Sequence, residues 1–153
     1  AGGGKTIKRH YFEMNTRTTP TGGVNTDQFT ITSGFTPILP TAGNNDLWVQ
    51  CTAPVNGASQ NWFNMCLRFD NGSTQYNLGQ NIGTNFPGAN PQQGAYDWNF
   101  NLPAGTIAAG TYTIKVHMIT NSSQADFWNP NSSDDARVST QSATTLMITE
   151  YKN

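Results

Sequence analysis

The stretch Asn61-Trp62-Phe63-Asn64-Met65-Cys66-Leu67-Arg68-Phe69-Asp70 alternates apolar and polar side chains and runs directly into Asn71-Gly72. Phe63, Met65, Leu67 and Phe69 fall on one face, and Trp62, Asn64, Cys66 and Arg68 on the other. That is the two-residue period of a β-strand. Asn-Gly is the strongest short-range hairpin signal, because both central positions of a type I′ turn require φ > 0. A returning strand is therefore expected from Thr74 to Leu78.

The same rhythm extends in both directions. Asp46 to Thr52 sets Leu47, Val49 and Cys51 against Trp48 and Gln50. Ala95 to Leu102 turns Tyr96, Trp98, Phe100 and Leu102 inward. Thr111 to Thr120 does so with Tyr112, Ile114, Val116 and Met118, and Ala143 to Tyr151 with Leu146 and Ile148. Upstream, Phe29 and Ile31 alternate with threonines, and Pro37 and Pro40 keep Phe35 to Leu39 at an edge or in a loop. Thr6 to Asn15 alternates less cleanly, as an edge strand does. Gly79 to Gly94 and Asn121 to Thr140 read as long loops. Almost nothing reads as helix. About eight short strands separated by Gly, Asn, Pro and Ser indicate an all-β sandwich, and eight is the jelly-roll count. An immunoglobulin-like sandwich is the competing fold, but its Cys…Trp…Cys spacing is absent. The expected organisation is a flexible arm over residues 1–5 and one β-sandwich domain over residues 6–153.

With 153 residues the chain can bury a substantial single core. Charged residues are 11%, well below the roughly 25% usual for soluble domains. Thr and Asn, about a quarter of the chain, fill the gap. So few charges suggest a surface that lies against other protein. A net charge of −1 provides no field for nucleic acid or an anionic membrane. No apolar run approaches the ~20 residues of a transmembrane helix. Ala1 fits removal of an initiator Met, which leads to the expectation of a complete small protein.

No catalytic constellation, metal site or cofactor motif is found. Gly4-Lys5-Thr6 lacks the glycine spacing and the preceding strand of a phosphate-binding loop. His10 and His117 have no ligand-type neighbours at metal spacing, and by parity His117 points outward. No nucleophile elbow exists. Most carboxylates sit at turns, and Asp134-Asp135 falls far short of a calcium cage. Cys51 and Cys66 read as buried or half-buried free thiols, with a disulfide between them as the alternative. Asn71-Gly72-Ser73, Asn121-Ser122-Ser123 and Asn131-Ser132-Ser133 match the glycosylation pattern but read as turns. Trp48 and Trp62 lie opposite the apolar sets of their strands and are candidates for a subunit interface, where such rings are enriched. Trp128, inside a polar loop, is the candidate for an exposed ring able to stack on a sugar.

Gly2-Gly3-Gly4-Lys5-Thr6-Ile7, Ala109-Gly110-Thr111-Tyr112-Thr113-Ile114 and Thr144-Thr145-Leu146-Met147-Ile148-Thr149-Glu150-Tyr151 together resemble small jelly-roll virion proteins of tailed bacteriophages. These serve as capsid decoration (cement) proteins or as trimeric heads of tail fibres. The resemblance implies a non-enzymatic homotrimer on the capsid surface, partnered by the major capsid protein. Trp48 and Trp62 would then form the trimer interface, and Lys5, Lys8, Arg9 and His10 would dock on the shell. The alternative is a tail-fibre head or a receptor- or carbohydrate-binding module using Trp128.

Overall fold

The computed structural model describes residues 4–19, 25–32, 38–39, 45–57, 63–82, 92–121, 125–130 and 141–152. Eleven strands occur in them: β1 (Thr6–Met14), β2 (Thr26–Thr30), β3 (Ile38–Leu39), β4 (Asn45–Gly57), β5 (Phe63–Asp70), β6 (Gln75–Ile82), β7 (Gln92–Leu102), β8 (Gly110–Thr111), β9 (Thr113–Asn121), β10 (Ala125–Trp128) and β11 (Thr144–Lys152). No helix is present among the described residues.

All pairings are antiparallel. One sheet runs β1-β11-β4-β7, with β10 continuing beyond β11 along the same side of β4. The other runs β2-β9-β5-β6, and β3 pairs with β8 apart from both. Counting only the eight long strands in chain order, the sheets read 1-8-3-6 and 2-7-4-5. Every successive pair is split between layers except the β5-β6 hairpin, which is jelly-roll connectivity rather than a meander.

The inward faces are those the alternation indicates. Leu47, Val49 and Cys51 on β4, Tyr96 and Trp98 on β7, and Leu146 and Ile148 on β11 meet Met65, Leu67 and Phe69 on β5 and Ile114, Val116 and Met118 on β9 in one core. The β6 and β7 edges close one side of the sandwich, where the ring of Phe100 occupies the space a side chain at Gly79 would need. Pro54 sits inside β4, normally a forbidden place for a residue without an N–H. It falls where β11 ends opposite Thr52 and β10 begins opposite Val55. Its carbonyl accepts from the Asn129 N–H on that side at 3.0 Å, so its nitrogen also faces the break and no ladder bond is lost.

Four local expectations change. Asn71-Gly72 does not occupy both central turn positions. Asn71 N–H donates to the Thr74 carbonyl at 3.2 Å, leaving Gly72 and Ser73 at the centre with only Gly72 at positive φ, 88°. The side chain of Asn71 causes the shift by accepting from the N–H groups of Ser73 and Thr74 at 2.9 and 2.7 Å. Glycine at the first central position is the II′ requirement. Next, β10 lies within the expected 121–140 loop. Then β4 and β6 run several residues longer than their alternation. Finally, within the expected arm, the Lys152 N–H donates to the Lys5 carbonyl at 2.9 Å, so pairing with β11 continues outward past β1.

Candidate functional site

Two outward surfaces carry organised side chains. The first is the outer face of the β1-β11-β4-β7 sheet. Its register sets three cross-strand rows: Glu13, Thr145, Thr52 and Asp97; Tyr11, Met147, Gln50 and Asn99; Arg9, Thr149, Trp48 and Asn101. Tyr11 is 60% exposed and Trp48 37%, large rings facing solvent on a four-strand surface. The Tyr11 hydroxyl donates to Glu13 Oε2 at 3.4 Å, and Thr52 Oγ1 donates to Asp97 Oδ1 at 2.7 Å. A shallow depression of about 360 Å³ is floored by β4 and β7 and lined by Gln50, Thr52, Asp97, Thr145 and Met147, with Tyr11 at its rim. Trp48 lies one row beyond it.

The second surface is the outer face of β2-β9-β5. Asp27, His117 and Cys66 share one row, and Lys115 and Arg68 the next. Arg68 Nη2 lies 2.8 Å from His117 Nε2, and His117 Nδ1 lies 2.8 Å from Asp27 Oδ1. Lys115 Nζ donates to Asp27 Oδ2 at 3.1 Å, and Arg68 Nε to Asn77 Oδ1 at 3.0 Å. Burial holds the His117 imidazole below its ordinary pKa, and the Arg68 and Lys115 charges push the same way against the Asp27 carboxylate. Burial alone would raise Asp27, but hydrogen bonds from His117 and Lys115 outweigh it and keep that carboxyl below its usual range. The pair resembles half a catalytic triad. However, Nε2, where a nucleophile's hydroxyl would bind, holds the Arg68 guanidinium instead. The Cys66 thiol in the same row is pushed up to about 11 by burial, so it stays protonated at neutral pH. The cluster is built to tie three strands together.

The sequence-derived site residues separate. Lys5, Lys8 and Arg9 are exposed. His10 is not a docking residue: its register partner is Ile148, so it points into the sandwich and is buried. Trp48 lies on the outer face as expected, and Trp62 lies outside the described residues. Trp128 does not present an exposed ring. It is 0% exposed, packs edge-on against Phe29, and its Nε1–H donates to Gln28 Oε1 at 3.1 Å. The cause is β10, whose pairing with Val55 turns that side chain into the core. His117, expected outward, is fully buried beneath its ion-pair partners. Cys51 and Cys66 are free and buried. Among the described residues no group of three or more His, Cys, Asp or Glu side chains is placed to hold a metal, and no helix is long and apolar enough to cross a membrane.

Asn129, which parity reasoning overlooks, holds this region in place at a φ of 51°, a left-handed conformation that asparagine tolerates. It donates to the Thr16 carbonyl at 3.2 Å and accepts from Thr144 Oγ1 at 2.7 Å. An Asn beside a Pro at the end of an aromatic pair was the available signal.

No family model and no curated protein matches the chain. Among solved structures it is similar to one of the infectious bursal disease virus Gx strain, with 9% identity and a TM-score of 0.50 over 95% of this chain and 33% of that one. It is also similar to a VP2 subviral particle of infectious bursal disease virus, with 10% identity and a TM-score of 0.52 over 96% of this chain and 34% of that one. The chain thus spans about a third of the length of the solved chains it matches. At such identities the likeness is one of fold, and the fold it shares is an all-β jelly roll found in virus particles.

Proposed function

We propose that this chain is a structural virion protein, a capsid decoration (cement) protein on the outer surface of a shell built by a major capsid protein. It adheres rather than reacts. The supporting observation is the outer face of the β1-β11-β4-β7 sheet, where Tyr11 and Trp48 stand exposed among mostly uncharged polar side chains, with Arg9, Glu13 and Asp97 in the flanking rows. Its fold is that of the virus-particle chains above. Copies associate through this face, to which Arg9 belongs, and the basic edge formed by Lys5 and Lys8 docks on the shell. A protein that binds only the assembled shell stabilises it by mass action. The tailed-bacteriophage setting and the homotrimer rest on the sequence resemblance.

Co-sedimentation with assembled shells of the same virus tests this reading. Bound protein should raise the shell's melting temperature, and Lys5→Glu with Lys8→Glu should weaken binding at least about tenfold. Protein that stays in the supernatant at micromolar concentration contradicts it.

A further inference from the structure

We infer that the outer face of the β1-β11-β4-β7 sheet is self-complementary about a two-fold axis, and that its partner is a second copy of this chain. The inference rests on the self-association proposed above and specifies its symmetry. Place an axis across the strands over the middle row, Tyr11, Met147, Gln50 and Asn99. The rotation lays each strand over its own copy, running the opposite way, and exchanges the two flanking rows. Arg9 then meets Glu13 of the second copy, and Glu13 meets its Arg9. Asn101 meets Asp97. Tyr11 and Met147 meet themselves.

Trp48 meets Thr52 on β4, between Thr145 and Asp97, and these three residues line the 360 Å³ depression. A knob and a hole on the same face, placed symmetrically about one row, form an isologous contact. The other in-plane axis, along the strands, would set Glu13 against Asp97 twice, so charge selects between them. Two sheet faces so related stack with their strands antiparallel and aligned, within the roughly 30° range of aligned sheet packing.

The contact is small. Four strands about 4.8 Å apart and three rows about 6.8 Å apart cover roughly 400 Å² on each copy. That is below a standard interface, so the pair is weak in free solution and fills when a shell concentrates the copies. Any three-fold unit is closed by other surfaces.

Sedimentation equilibrium on the full chain up to about 1 mM tests the pairing, in the affinity range of contacts this size. Arg9→Glu and Glu13→Arg should each weaken self-association at least about tenfold, because like charges then oppose at two symmetry-related points. The double exchange should return to within about threefold of the original. Met147→Cys, on the axis, should cross-link to its own counterpart through a short bismaleimide, which spans the roughly 10 Å between stacked sheets that a direct disulfide does not, while Cys51 and Cys66 stay buried. Failure of the rescue, absence of that cross-link, or a chain monomeric throughout overturns the inference. A chain that pairs this way yet ignores shells would instead overturn the decoration reading.

Discussion

The guanidinium of Arg68 donates to Nε2 of His117 across 2.8 Å. Arginine has no acceptor, so Nε2 must be unprotonated and the ring proton must sit on Nδ1, facing Asp27 Oδ1. The imidazole is held neutral in one tautomer, and protonating it would break the Arg68 bond and bury a third cation beside Arg68 and Lys115.

Stability should therefore depend on pH in a defined direction. His117 and His10 are both held below the ordinary imidazole value of 6.5, chiefly by burial. The unfolded chain takes up protons there that the folded chain refuses, so stability falls as pH drops below 6.5. Asp27 and Asp70 act lower. Their folded pKa values are depressed from 3.8, and their contribution, present above that value, is lost as pH falls through the folded values. Urea midpoints should be level from pH 8 to about 7, decline below about 6.5, and decline again below about 4. A midpoint unchanged from pH 7 to 5 would contradict the buried neutral histidines.

His10 itself weakens the fold. Its Nε2 is buried with no hydrogen-bond partner among the described residues, in a row with Ile148 and Val49. His10→Leu should raise stability by about 1 kcal/mol at pH 7, the lower end of the cost of a buried unsatisfied group. The gain should widen at pH 5.5. Urea titration at the two pH values gives both numbers.

Gly79 has φ 66° and its open side is filled by the Phe100 ring. Gly79→Ala should cost about 2–4 kcal/mol, from left-handed strain together with overpacking. Adding Phe100→Leu should recover the packing part and leave the strain. Thermal melts of the single and double variants separate the two.

Trp128 belongs to the core. Trp128→Ala should cost about 3–5 kcal/mol, as for other buried aromatic truncations. Trp128→Phe should cost less, mainly the Nε1–H bond to Gln28 Oε1. Denaturant unfolding of both variants checks the ranking.

Alternation alone located the long strands and their inward residues, because every strand of a two-layer sandwich keeps one face in a single core. It did not locate β10, whose burial comes from pairing with Val55 and from Gln28 across the sandwich, contacts far apart in sequence. Parity put His117 on the outer face, where it lies, but parity does not show how deeply an outer face is covered by its own ion pairs. The hairpin moved by one residue because the Asn71 side chain captured two backbone donors. The aromatic face was foreshadowed by Trp48. Its match to itself needed the register of four strands, which no single segment carries.

The central claim, that this jelly roll coats a viral shell, is tested most directly by a cryo-electron microscopy map of the intact particle at strand resolution. The claim predicts copies on the outer surface, with the basic β1 edge against the shell and Trp48 faces meeting across two-folds. Particles that lack the chain, or that hold it away from the shell's outer surface, would contradict it.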